Sequence, residues 1–245
     1  MAAEKFFQVG PVRVRVSTTA DAPRERLSRE RIVDVALAQM KERGYDAVSM
    51  RSIAKELDTG PASLYAHVAH KDELDQLVID RIATLVEVPE PDPERWAEQV
   101  KDVMRANLAA YRAHPGSAQA ALAMIPTAEG GLRAAEGFMQ LLLAGGIPPQ
   151  AAAWFCDLAA LYVSAIAAEE SIWAQRGKAA AAGGRPVSEE DVVAQVRQVF
   201  AALPPETYPA LTRHATEMTT GDGDDRFEFG LDVLLAGLVA VSRRA

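Results

Sequence analysis

Three short bursts of apolar residues at helical spacing stand out between Ile32 and Val68. Ile32, Val33, Ala36, Leu37 and Met40 share one face of a helix over 29–43, which Ser28 caps and Gly44 stops. Met50, Ile53, Ala54 and Leu57, at i, i+3, i+4 and i+7, predict a second helix behind a Ser49 cap. Asp58-Thr59-Gly60 breaks it, and Pro61 suits the first turn of a third helix ending at His67 or Val68. Leu64 and Val68 give this helix a buried side, so Ala62, Ser63, Tyr65 and Ala66 face outward. Two short helices across a Gly-containing turn form a helix-turn-helix, whose second member can lie in the major groove of DNA.

Beyond a fourth helix starting near Lys71, Pro89, Pro91 and Pro93 predict a stiff joint. Periodicity and breakers then predict helices over about 94–113, 128–144, 149–176, 188–202 and 225–241, with a short one after Pro205 and a flexible connection over 176–187. The expected class is all-α: a three-helix head followed by a helical bundle. The chain divides into an N-terminal arm (1–23), a helix-turn-helix head (24–88) and a ligand-binding and dimerisation body (94–245). The segment Ala151 to Ala168 is apolar apart from Asp157 and Ser164, long enough to raise the question of a membrane span. Its many alanines insert weakly and Glu169-Glu170 follow at once, so a buried bundle helix and no membrane is the reading. This helix and the last one are apolar around much of their circumference, which predicts a homodimer joined by a four-helix interface.

Composition changes this picture in one respect. The net charge of −8 suits a nucleic-acid binder poorly, and the head itself is not basic: residues 24–87 carry ten basic and twelve acidic side chains. Any DNA binding must depend on a few well-placed cations, with a modest salt dependence. The single cysteine, Cys156, permits no intramolecular disulfide and reads as a small core residue. No apolar leader segment is seen, and a cytoplasmic protein is expected. Arg13 and Arg15 sit in an alternating VRVRV run, read as a loosely ordered tail, with an arm reaching the minor groove as the alternative.

Catalysis finds little support. His67, His70, His114 and His214 are scattered, and there is no H-E-x-x-H, G-x-S-x-G or glycine-rich phosphate loop. The acidic turn Thr220 to Asp224 lacks the bidentate glutamate of a calcium loop. No cofactor and no metal is expected. Contacts to DNA have better candidates. Tyr65 and His67 have polar tips that reach phosphate oxygens, and Arg51 can reach a phosphate or a guanine edge. Lys71 opens a helix against the macrodipole, which a phosphate partner would explain.

The stretch RIVDVALAQMKERGYDAVSMRSIAKELDTGPASLYAHVAHKDELDQLVIDRI resembles the DNA-binding head of the tetracycline-repressor (TetR) family, above all in S-M-R-S-I-A, S-L-Y-A-H-V and H-K-D-E-L. The resemblance runs from Leu27 to about Val86. It places Ser49, Arg51, Ser63, Tyr65, His67 and Lys71 on the family's DNA-contact positions, and Pro61, Ala62 and Ala66 at groove-facing places. Near the end, the run from Arg226 to Leu238 resembles the closing helix of the branch nearest the tetracycline repressors. That likeness implies a helical regulatory core, a dimer and a small-molecule inducer. It puts Ala121 where tetracycline binders carry a metal-coordinating histidine, with Glu169 near a family acidic position, so magnesium–tetracycline is not the expected ligand.

The expected function is therefore a ligand-responsive transcriptional regulator: a homodimer that releases a palindromic double-stranded operator on binding a largely apolar small molecule. Candidate ligand contacts are Asn107, Tyr111, Met124, Phe138, Phe155, Tyr162 and Trp173. The alternative is a helical small-molecule carrier or protein-interaction module that keeps the head without using it, to which the short side chains of Ala62 and Ala66 lend weight.

Overall fold

The computed structural model describes residues 4–9, 12–17, 26–122, 124–184 and 188–243. Its first element is a hairpin in which β1 (Glu4–Val9) runs antiparallel to β2 (Val12–Ser17), with Glu4 opposite Ser17 and Val9 opposite Val12. The VRVRV run read as a tail is thus a strand, in keeping with the preference of alternating β-branched residues for extended backbone. Every other described element is helical.

The head contains α1 (Arg29–Arg43), α2 (Met50–Glu56), α3 (Pro61–Tyr65) and α4 (Lys71–Ala83). Its ends follow local chemistry. The Ser28 hydroxyl accepts the Arg31 N–H, Ser49 and Ser52 form a reciprocal capping box, and Gly44 takes φ +82° while donating its N–H to Met40. His70 caps α4, its Nδ1 accepting the Glu73 N–H at 3.1 Å. The helices close over Ile32, Ala36, Met40, Ile53, Leu64, Val68, Leu74 and Val78. Two polar side chains are buried beside that core, Gln39 and Asp75; Gln39 donates to the Ser52 carbonyl at 3.1 Å and accepts from the Ser52 hydroxyl at 2.8 Å, which locks α1 to α2.

The body comprises α5 (Trp96–Ala113), α6 (Ser117–Ala121), α7 (Glu129–Ala144), α8 (Pro149–Ala182), α9 (Glu189–Ala201), α10 (Pro209–Arg213) and α11 (Gly223–Ser242). Met104 and Leu108 of α5, Leu141 and Leu142 of α7, Phe155 and Val163 of α8, and Leu231 and Leu235 of α11 form a second core. Ion pairs clasp α11 to α5: Arg105 grips both oxygens of Glu228 at 2.7 and 2.8 Å, and Lys101 meets Asp232 at 2.5 Å. At 34 residues, α8 runs six residues beyond its expected end, because Lys178 to Ala182 are strong helix formers that carry it past Gly177. The five-residue α6 was not foreseen; it is too short to show a periodicity.

Head and body meet along α4 and at a narrow seam, not at a proline joint alone. Val78 and Ile82 of α4 belong to the head core, while Val86, just past its end, joins the body core. At the seam the Tyr45 N–H donates to the Pro115 carbonyl at 2.9 Å. Gly116 follows with φ +90°, and a Cβ there would stand 2.6 Å from that of Tyr45.

Candidate DNA-binding head and ligand cavity

The helix-turn-helix is α2, the turn at Asp58–Gly60, and α3. Leu64 is the only buried residue of α3. The remaining side chains of so short a helix must point away from the core, and they do: Pro61, Ala62, Ser63 and Tyr65 are exposed, as is Ala66 just beyond, with Tyr65 at 52%. Arg51 and Ser49 are exposed at the start of α2. Arg51 has no ion-pair or hydrogen-bond partner among the described residues, whereas the Ser49 hydroxyl already accepts the Ser52 N–H at 3.1 Å.

His67 and Lys71 are half-buried. The His67 carbonyl accepts from Arg29 at 3.1 Å, and Arg29 continues to Glu73 at 3.0 Å, tying the end of the third helical segment to α1 and α4. Lys71 has a partner inside the chain. Its ammonium pairs with Asp75 one turn on, lies 3.2 Å from the Tyr45 hydroxyl, and sits 4.2 Å above the centre of that ring. Asp75, in turn, accepts from Tyr45 at 2.6 Å. The lysine at this helix start thus has a counter-charge within the chain.

The second candidate site is a cavity of about 410 Å³ in the body, within the size range of small-molecule pockets. Its walls come from α4, α5, the end of α6, α7, α8 and the segment joining α6 to α7. Four of the expected ligand contacts line it: Asn107, Tyr111, Met124 and Phe138. Three do not. Phe155 is buried behind Phe138, stacked on it with ring centres 6.4 Å apart. Tyr162 turns away to stack on Phe227 and donates its hydroxyl to the Phe227 carbonyl at 3.1 Å. Trp173 is half-exposed, with the Arg176 guanidinium 5.3 Å from its ring. These residues share the helix α8, and only packing decides which of its faces meets the cavity.

Ala121 lines the cavity, so a small apolar residue stands in the wall there; Glu169 is exposed and does not reach it. Burial pushes the Tyr111 phenol above its ordinary value, with the Ser164 hydroxyl acting in the opposite sense. Burial likewise pushes the Cys156 thiol up. The lining that the sequence reading missed includes a stripe on α4: Gln76, Ile79, Asp80 and Ala83. The signal was present, since these positions follow i, i+3, i+4, i+7 and form a stripe distinct from Leu74, Val78 and Ile82 in the head core. Asp80 is the most informative of them. Its carboxylate faces the cavity and accepts the Gly131 N–H of α7 at 2.7 Å.

Comparison with known proteins places both sites in a common frame. Residues 32–76 match a model described as bacterial regulatory proteins of the tetR family, and residues 88–242 match one described as the tetracyclin repressor-like C-terminal domain. The chain is 40% identical to ActR of Streptomyces coelicolor, covering 89% of this chain and 99% of that one with a TM-score of 0.77, in crystal structures of ActR in complex with actinorhodin and with (S)-DNPA. It is 28% identical over 228 residues to the HTH-type transcriptional repressor DrrR1 of Streptomyces coeruleorubidus, covering 91% of this chain and 81% of that protein.

Proposed function

The chain belongs to the TetR family of DNA-binding transcriptional regulators, which are not enzymes, and on that footing we propose that it is a repressor released from a palindromic operator by a small molecule. The observation that carries the reading is the double use of α4. One face of this helix packs in the head core, and the other forms a wall of the cavity. A molecule entering the cavity displaces the helix that holds the recognition element, so ligand and DNA weaken each other reciprocally, by about 1–3 kcal/mol in typical cases. The binding of actinorhodin and (S)-DNPA by ActR supports an organic ligand of comparable kind.

Two hydrophobic clusters support a division into a head over 24–88 and a body over 94–245, with Val86 packing in the body cluster and Ala110 and Tyr111 touching both. Ser49, Arg51, Ser63, Tyr65, His67 and Lys71, with Pro61, Ala62 and Ala66 beside them, form the DNA face, Lys71 by exchanging Asp75 for a phosphate. A homodimer follows from the outward apolar faces of α8 and α11. Trp154 is 71% exposed and Phe229 72%, and Leu158, Leu161 and Val233 extend the same surfaces. Pairing them with a second copy gives a four-helix interface and sets two α3 helices to read half-sites about 34–36 Å apart. The place of action is the cytoplasm, where the chromosome lies.

Selection of bound sequences from random DNA by the full chain is the test. Enrichment of a two-fold symmetric site, released on titration with actinorhodin or a related compound, is the expected result. Failure to enrich any symmetric sequence overturns the reading in favour of a carrier.

A further inference from the structure

Lys71 and Tyr45 hold different oxygens of one carboxylate. The Lys71 ammonium pairs with Oδ1 of Asp75, and the Tyr45 hydroxyl donates to Oδ2 at 2.6 Å. Asp75 is only 8% exposed, and a carboxylate so placed is costly to strip of its donors. The two donors differ in their freedom. The Lys71 side chain is 35% exposed and rests on the Tyr45 ring, with its ammonium 3.2 Å from the hydroxyl, so it can turn outward. Tyr45 is fixed in place. Its N–H donates to the Pro115 carbonyl of the body at 2.9 Å, its own carbonyl accepts the Val48 N–H at 2.9 Å, and Gly116 leaves no room for a methyl group beside its Cβ.

We propose that Tyr45 is a positioning residue for operator binding: its hydroxyl stays on Asp75 while Lys71 leaves that carboxylate for a DNA phosphate. The proposal rests on Lys71 belonging to the DNA face, and it adds the residue that makes the exchange possible. Because the two donors sit on separate oxygens, one can depart without disturbing the other. Asp75 then keeps a hydrogen bond through the exchange, and the ammonium trades one anionic partner for another. Without the hydroxyl, the departing lysine takes away the second of these donors as well, and the carboxylate holds it back from the phosphate. Tyr45 itself touches no DNA in this scheme; it acts through Lys71.

The test measures affinity for the selected operator against salt concentration, using the full-length protein and its Tyr45→Phe, Lys71→Ala and doubly substituted variants. Tyr45→Phe removes the hydroxyl and keeps the ring under the ammonium. It is expected to weaken binding about three- to tenfold and to lower the salt slope by about one, towards that of Lys71→Ala. In the Lys71→Ala background the same change should alter affinity by less than about twofold. Asp75→Asn, which removes the charge competing with phosphate, should tighten binding. An equal loss from Tyr45→Phe with and without Lys71, at an unchanged slope, makes Tyr45 a purely structural residue and overturns the inference. Tighter binding by Tyr45→Phe, or weaker binding by Asp75→Asn, overturns it as well. Parental affinity and slope in Lys71→Ala removes that lysine from the DNA face and the inference with it, while operator recognition by the remaining residues stands.

Discussion

Asp80 and Gly131 join the two parts of the molecule through one hydrogen bond. The carboxylate belongs to the last turn of α4, and the N–H it accepts at 2.7 Å is one of the donors that the first turn of α7 leaves without a helical partner. A side chain from the head's helix thus caps a helix of the body, and it does so inside the cavity. A bound molecule that donates a hydrogen bond to Asp80 would compete with Gly131 for that carboxylate.

Asp80→Ala is therefore expected to disconnect ligand from operator. Operator affinity without ligand should stay within a few-fold of the parent. The weakening caused by ligand should shrink towards none, and α7 should lose about 0.5–2 kcal/mol from the missing cap. Fluorescence anisotropy on a labelled operator, with and without ligand, reads the first two effects, and thermal unfolding reads the third. Full release of the operator by ligand in the variant would sink this role for Asp80.

At Gly130, beside that bond, α7 packs tightly against the end of α4. A Cβ on it would lie 2.6 Å from Cγ2 of Thr84 and 2.7 Å from the Asp80 carbonyl oxygen, which is backbone and cannot step aside. Gly130→Ala should cost about 1–3 kcal/mol through overpacking, despite the better helix propensity of alanine. Chemical denaturation measures it; a neutral or stabilised variant would show that the two helices separate freely.

On the DNA face, Arg51→Ala removes an exposed cation with no described partner. Operator binding should weaken by about 1–3 kcal/mol, and if the contact is to a phosphate, the salt slope should fall by about one. The unfolding temperature should not move, since surface positions of this kind change stability by less than about 0.5 kcal/mol. An unchanged operator affinity would remove Arg51 from the interface.

Two ionisable groups predict how stability varies with pH. Hydrogen bonds from Arg105 hold the Glu228 carboxyl below its ordinary 4.5, so the pair stabilises the fold above that pH and the contribution is lost as pH falls through the lowered value. Glu228→Gln should flatten the loss of stability as pH falls below 4.5, a modest effect because both side chains are partly solvated. The Tyr45 phenol moves the other way: burial and the bond to Asp75 push it above its ordinary 10.0. Stability tied to it is intact below that pH and declines above it. Tyr45→Phe should abolish this alkaline decline and cost about 0.5–1.5 kcal/mol at neutral pH through the lost hydrogen bond, or more if the buried Asp75 is left unsatisfied. Urea unfolding across the pH range tests both.

How much of this was legible in the sequence varied with how local each signal is. Ser28, Gly44 and Ser49 act on their own helix ends, and α1 and α2 begin and stop where those residues say. The exposure of Tyr65 follows from Leu64 and Val68 facing the core. Lys71 was legible only in part: its sequence neighbours argue for a phosphate, while its partners within the chain include Tyr45, 26 positions away. The cavity was harder still, because five helices and a connecting segment build it. Asn107 and Phe138 reach it and Tyr162 does not, a distinction set by the stacking of Tyr162 on Phe227, which no periodicity announces.

The seam at Tyr45 and Gly116 bears on engineering. With a backbone hydrogen bond across it and no room for a methyl group, the junction is a fitted joint that accepts one shape on either side. Grafting a foreign reading module onto this sensor would require transplanting the loop after α5 together with it, since a chimera cut only at the prolines would inherit mismatched surfaces.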